Sequence, residues 1–472
     1  MKGKIIQYAI GPIGTAIIGL VTLPLITWFY SVEDVGRISM LQVVASFSIL
    51  LCCLGLDQAY IREYHEVDNK PLLLKLSFLP GFVLICLVYG GSIIFSPTII
   101  SQWLYNIPSS SLSLLSIACF ITAYTSRFLS LVVRMEERAL AYSMSQLIPK
   151  VFFLIFIICT VWVGFKQDIY SLIAAHMLSV FIVCLVFLWN TKHEWNTILS
   201  CGFNWHKLKL LLIFGLPLVV GGLASWGLNV MDKVFLRSLS TFEELGVYSV
   251  TISIAGVATV FSGIFNTIWA PMIYKWEKNG IDIKSVDKIS EHVLAAVFFA
   301  VVLVGLFSWM LPYFLPKEYL AIKYLVALCL LSPLFYTLSE TTAVGISISR
   351  RTGLSMLASI VAMLINGIGN YILVPEYGAL GAAISTSIAF YFFYILRTEF
   401  SRKVWRNIPT TKTYLIITLL LFTAISNAVL FQGTNTAIII WGGLLFFGFF
   451  IFNNSIQLLY KLVRNSKLLN LR

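Results

Sequence analysis

Fourteen stretches of about twenty mostly apolar residues follow one another along the chain, and no soluble layering of helices or sheets could hide them all. They lie at roughly 5–30, 38–60, 72–95, 109–133, 142–165, 168–190, 209–231, 245–270, 289–313, 318–347, 354–374, 378–396, 413–431 and 436–460, and are numbered below as spans 1 to 14. About 20 such residues cross about 30 Å of hydrocarbon. Each must be helical, because lipid offers no partner to an open backbone N–H or C=O. Only 11% of the 472 residues are charged, against about 25% in a soluble domain. The run that follows MKGK exceeds the about 7–15 apolar residues of a signal peptide and precedes no small-residue cleavage site. The expected fold is an all-α integral membrane protein.

In such a chain a net charge of +12 points to membrane orientation, not to nucleic acid. Lys and Arg collect in cytoplasmic loops. Of the 33, 25 fall on the side that holds both termini and 6 on the other, while Arg127 and Lys150 lie inside spans. Both termini are therefore expected in the cytoplasm. Trp28, Trp103, Trp162, Trp189 and Trp309 lie near span ends, where amphipathic rings favour the interface. The eight cysteines show no metal-ligand spacing. No GxxxxGK[ST], HExxH or GxSxG occurs, so neither P-loop hydrolysis nor those two hydrolytic chemistries are expected. The chain is not expected to be an enzyme. The expected energy source is a proton or sodium gradient, with no metal and no bound cofactor.

The connector after span 1, SVEDVGRIS at 31–39, returns 210 positions later as TFEELGVYS at 241–249. Glu33 recurs as Glu243, Asp34 as Glu244, Gly36 as Gly246 and Ser39 as Ser249. Both copies fit a helix-capping box, in which a hydroxyl accepts from the third residue's N–H and the carboxylate reaches back. Weaker echoes at nearly the same offset, Arg138/Ser143 with Arg350/Ser355 and Ala174 with Ala382, imply that spans 1–6 and 7–12 are copies. Six is even, so the copies insert the same way up, about a pseudo-two-fold axis along the membrane normal. The expected organisation is a six-helix bundle over 1–190, an amphipathic cytoplasmic linker at 191–208, a second six-helix bundle over 209–400, and two further helices with a cytoplasmic tail in 401–472. Pro12 and Pro24 in span 1 and Pro217 in span 7 are expected to interrupt the helical ladder in partner positions.

SVEDVGRIS, GLDQAYIREY at 55–64 and VPEYGALGAAIST at 374–386 resemble the polysaccharide-exporter branch of the multidrug/oligosaccharidyl-lipid/polysaccharide (MOP) superfamily. The chain is most similar to O-antigen flippases of the Wzx type, over its whole length. The resemblance implies a flippase in the bacterial inner membrane, serving synthesis of O-antigen and lipopolysaccharide. It would carry an undecaprenyl-diphosphate-linked oligosaccharide from the cytoplasmic to the periplasmic leaflet, among membrane lipids and beside a polysaccharide polymerase and a chain-length regulator. A multidrug antiporter of the same superfamily is the rival transporter. A membrane polymerase or ligase is the rival enzyme, opposed by the short, basic-poor outer connectors.

A charge near the bilayer centre costs at least about 2.5–3.5 kcal/mol and normally faces protein or water. Arg127 in span 4 and Lys150 in span 5 are either contacts for a lipid diphosphate or cations that snorkel to the headgroups. Lys233 and Asn229 near the end of span 7 join them as expected substrate contacts. Asn366 does so too, although Asn366 and Asn370, at i and i+4, equally suit hydrogen bonding between helices. Glu340 in span 10 stands at the position equivalent to Arg127. It either exchanges the coupling ion, as a carboxylate in a half-dry cavity can, or pairs with a basic residue across the bundle. Asp57 and Arg62 are expected at a gate on the cytoplasmic end of span 2, with Glu33, Asp34, Gly36, Glu243, Glu244 and Gly246 as structural or gate residues at the two echoed connectors.

Overall fold

The computed structural model describes residues 2–198, 201–278, 284–432, 435–458 and 460–461. Positions 199–200 of the expected linker, and Arg464, Lys467 and Arg472 of the charge tally, lie outside the described residues. Among those described, twelve helices are long and apolar enough to cross a membrane. One of them, Gly353–Val404, has 52 residues and carries non-helical backbone at Gly378 (φ 51°), so it is long enough for spans 11 and 12 together. Span 14 is the shorter apolar helix Asn435–Ile451. Counted this way, the helices match the fourteen apolar stretches of an all-α membrane protein. The outward surface is hydrocarbon: Phe95, Trp162 and Ile94 are each more than four-fifths exposed, as lipid-facing side chains are.

Three details differ from the sequence-based expectation. Span 1 (Lys2–Phe29) and span 7 (Trp205–Leu239) run as unbroken helices through Pro12, Pro24 and Pro217. A proline removes one ladder hydrogen bond, and membrane helices tolerate that loss where neighbours cover the freed carbonyl. Span 8 is instead divided, into Phe242–Ala255 and Val257–Lys278, at Gly256. Span 2 (Val32–Cys52) ends three residues before Gly55 (φ 71°), and GLDQAYIREY restarts as a separate short helix, Leu56–Glu63.

The chain condenses into two compact units, Met1–Ser249 and Val250–Arg472. In the first, span 1 packs along span 5 (Ala139–Val163), and the Ser143 hydroxyl donates to the Gln7 carbonyl at 2.5 Å. Span 4 (Ser110–Met135) packs on span 6 (Ile169–Asn190). Tyr124 and Phe128 of span 4 meet Phe78 of span 3 (Lys70–Phe95) at ring distances of 5.5 Å. Span 7 lies along span 2: Trp226 packs tilted against Phe47 at 4.9 Å and donates to Ser46 Oγ at 3.0 Å. At the span 2 break the two chains approach to backbone contact. A Cβ on Gly55 would fall 2.1 Å from the Gly215 carbonyl oxygen.

In the second unit, span 10 (Ile322–Ile348) is the central helix, with 78% of its most apolar window buried. Ser387 of span 12 donates to the Leu328 carbonyl at 2.9 Å, and Ser401 to the Thr342 carbonyl at 2.7 Å. Span 13 (Thr411–Ser426) and span 14 are fastened to span 9 (Lys284–Phe307) by apolar packing at their cores and by ion pairs at one end. Trp441 fills the space over Gly305, and Phe298 that over Gly448. Arg406 binds Asp287 through two nitrogens at 2.5 and 3.1 Å, and Lys412 pairs with Glu291.

Candidate functional site

The echoed connectors touch each other. The Ser31 hydroxyl accepts from the Asp34 N–H at 3.2 Å, and Thr241 from the Glu244 N–H at 3.2 Å, so both helices start with the expected cap. The carboxylates of the first copy turn elsewhere. Glu33 and Asp34 both bind Arg37, each at 2.7 Å, because a charged guanidinium is a stronger partner than a backbone N–H. Glu243 is exposed. Past the caps, span 2 crosses the first half of span 8. A Cβ on Gly36 would fall 2.2 Å from the Phe242 carbonyl oxygen, and one on Gly246 would fall 2.2 Å from that of Val32. Val32 and Phe242 are themselves equivalent positions. Residue i of one copy thus meets residue j of the other and j meets i, which is the signature of a local two-fold axis. One turn further on, the Ser249 hydroxyl donates to that of Ser39 at 2.8 Å.

Ser39 accepts a second bond, from Lys233 Nζ at 2.9 Å. The neighbouring Asp232 accepts from the Tyr248 hydroxyl at 2.5 Å. Two consecutive residues of span 7 therefore engage a polar layer in which Ser39, Asp232, Tyr248 and Ser249 are all buried. Lys150, half-buried on span 5, has no hydrogen bond or ion pair among the described residues. His176 rests edge-on against Phe153. Asn229 is exposed and bonds only back to the Ser225 carbonyl, at 2.7 Å.

The third intramembrane cation of this unit does not snorkel freely. Arg127 Nη2 donates to Asp57 Oδ2 at 2.7 Å, and Gln58 supports the same oxygen at 3.0 Å. Asp57, expected with Arg62 at a gate on the end of span 2, thus binds an arginine of span 4. The Arg127 side chain remains 35% exposed with a single hydrogen-bond partner among the described residues, so most of its N–H fork is open. Arg62 lies over the Phe214 ring at 4.4 Å.

In the second unit Glu340 is paired. Arg397 Nη1 donates to Glu340 Oε1 and to Ser339 Oγ, both at 2.6 Å, and its guanidinium lies 5.1 Å from the Phe393 ring. The sequence reading counted Arg397 as a loop cation. It lies on span 12, one turn after Phe393, and that aromatic–arginine spacing on an apolar helix was the available signal. Trp269 Nε1 donates to the Glu340 backbone carbonyl at 3.1 Å. Each unit thus carries one carboxylate–arginine pair between membrane helices, Asp57 with Arg127 in the first and Glu340 with Arg397 in the second. Asn366 and Asn370 are fully buried between spans 11 and 12. Asn366 Oδ1 accepts from Asn370 at 2.8 Å and from Ser385 at 2.9 Å, as interhelical hydrogen bonding requires. Among the described residues no His, Cys, Asp or Glu cluster could hold a metal ion.

Known proteins place these features. Over 222 residues the chain is 26% identical to a probable multidrug resistance protein NorM of Photorhabdus laumondii, spanning about half of that relative's length (48%). It is 22% identical over 331 residues to an uncharacterized membrane protein of Haemophilus influenzae, covering 69% of this chain and 78% of that one. Among solved structures, the lipid II flippase MurJ in an inward closed conformation matches with a TM-score of 0.68 at 16% identity, over 96% of this chain and all of that one. An inward-facing multidrug resistance transporter of the MATE family, from the MOP superfamily, matches at 0.57 and 14% identity, over 86% of this chain and 95% of that one. The fold is thus that of the MOP-superfamily flippases and exporters, and because the model of the polysaccharide biosynthesis protein family matches residues 2–277, more than half of the chain, the protein belongs to that family.

Proposed function

We propose that this protein flips an undecaprenyl-diphosphate-linked oligosaccharide, a repeat unit of O-antigen or another surface polysaccharide, from the cytoplasmic to the periplasmic leaflet of the bacterial inner membrane. The observation that carries the reading is the set of under-compensated cations on membrane helices of one unit. Lys150 has no partner among the described residues, Lys233 has only a neutral hydroxyl as hydrogen-bond partner, and Arg127 keeps most of its fork open. Cations left in this state are costly in hydrocarbon and are matched by a ligand of high negative charge. A diphosphate supplies that charge, and guanidinium recognises its oxygens in pairs. The family's link to polysaccharide synthesis fits a lipid-linked sugar as the cargo.

The mechanism is alternating access driven by a proton or sodium gradient. The diphosphate headgroup binds Arg127, Lys150 and Lys233, with the exposed Asn229 lending a polar contact to the sugars, while the prenyl tail stays in lipid. Asp57 holds Arg127 in place. Protonation of Glu340 would release Arg397, so this pair is the site at which ion exchange biases direction. Both termini face the cytoplasm, and the polymerase and chain-length regulator act on the delivered product. The test is a surface-glycan assay in a strain lacking the protein. Complete lipid-linked repeat units should accumulate on the cytoplasmic leaflet, whereas accumulation on the periplasmic leaflet or an unchanged glycan would refute flipping. The NorM likeness favours one other reading, multidrug antiport. Export of cationic dyes that survives Lys150→Ala and Arg127→Ala would select it.

A further inference from the structure

Lys233 stands where the cationic site meets the self-matching crossing of spans 2 and 8. Ser39 Oγ accepts from Lys233 Nζ at 2.9 Å and from the Ser249 hydroxyl at 2.8 Å, which fills both acceptor positions of a serine oxygen. One turn away the crossing is a close backbone approach, with Gly36 and Gly246 against the carbonyls of Phe242 and Val32. The Val32 side chain covers Gly246, and Arg37 lies over the Phe242 ring at 5.1 Å. In this polar layer the crossing is fastened by the Ser39–Ser249 bond and by Lys233, which ties span 7 to the same oxygen.

The ammonium is poorly matched there. Its hydrogen-bond partner is a neutral hydroxyl, and the adjacent Asp232 carboxylate accepts from the Tyr248 hydroxyl. A hydrogen bond with one ionised partner is about twice as strong as a neutral one, and a phosphate oxygen adds to it the attraction of an opposite charge. An incoming phosphate oxygen is therefore a better partner for Nζ than Ser39 is. We infer that Lys233 is a ligand-operated latch: it fastens the span 2–span 8 crossing when the site is empty, and a bound prenyl diphosphate withdraws it from Ser39 and loosens that crossing. The inference rests on the anionic-ligand reading above and adds to it a specific coupling between binding and opening.

The test uses the full chain carrying Ser249→Cys in proteoliposomes, with a membrane-impermeant maleimide and peptide-resolved mass spectrometry to separate position 249 from the native cysteines. The probe is farnesyl diphosphate, with farnesol as control, and its binding is measured in parallel with radiolabel. With Lys233 present, farnesyl diphosphate should raise labelling about fivefold, the size set by one hydrogen bond of about 1 kcal/mol, and farnesol should not. Lys233→Met should label at the raised level without ligand and respond no further. Lys233→Arg, which keeps the charge, should respond. Ser39→Ala should be open without ligand and still bind the diphosphate, a result that misfolding would not give. Binding of farnesyl diphosphate with labelling unchanged would overturn the latch and spare the anionic site. Absence of binding would overturn both.

Discussion

Arg127 and Arg397 are both arginines drawn onto membrane helices by one carboxylate, but their surroundings differ. Arg397 is 11% exposed, bound to Glu340 and Ser339, and flanked by the Phe393 and Tyr336 rings. Arg127 is 35% exposed and holds Asp57 through one nitrogen. The first is an enclosed pair whose energy lies in holding span 10 against span 12. The second is a positioned cation with donors to spare. The contrast is informative because both pairs join two membrane helices, and only the one around Arg127 leaves most of its donors open.

The comparison breaks most readily at the enclosed pair. Arg397→Ala leaves Glu340 without its cation and should cost about 3 kcal/mol or more, read as the largest fall in thermal unfolding midpoint among these variants. Glu340→Gln combined with Arg397→Met should recover most of it. A small or absent fall would show that the pair is solvated after all. Next come the two halves of the crossing. Gly36→Leu and Gly246→Leu each force a side chain onto a carbonyl 2.2 Å away and should each cost about 1–3 kcal/mol, by similar amounts if the local two-fold is real. Arg127→Ala should cost less stability than Arg397→Ala yet lower flipping of a lipid diphosphate about tenfold, the equivalent of one charged hydrogen bond of about 1.5 kcal/mol. Normal transport would remove Arg127 from the ligand site. The smallest effect belongs to the caps: Ser31→Ala and Thr241→Ala should each lose about 1 kcal/mol or less, again nearly equally.

Much of the fold could be read in the sequence because each span must satisfy its backbone internally, and length and polarity alone decide where that happens. The doubled connector was legible for a similar reason: its caps and glycines act within a few residues. What escaped was tertiary. The span 11–span 12 helix continues through Pro375-Glu376-Tyr377 because the turn is absorbed at Gly378 alone, a conformation local propensity does not announce. Arg397 looked like a loop cation because a long basic chain near a helix end is normally counted with the headgroups, and only packing shows that it turns inward to Glu340. Asp57 reads in the sequence with Arg62 at the end of span 2, and its partner Arg127 comes from span 4, 70 residues further along the chain. Asn366 and Asn370 share one face, as their i, i+4 spacing required, but Ser385, the partner they meet, lies on the next span.

The reciprocal seating of positions 36 and 246 has a further consequence. Because Gly36 rests on the first helical residue of the other connector, Phe242, and Gly246 rests on Val32 in return, a bulkier residue at either position meets a carbonyl of the other connector. A mutual steric veto of this kind accounts for glycine at both 36 and 246, while their neighbours Arg37 and Val247 differ.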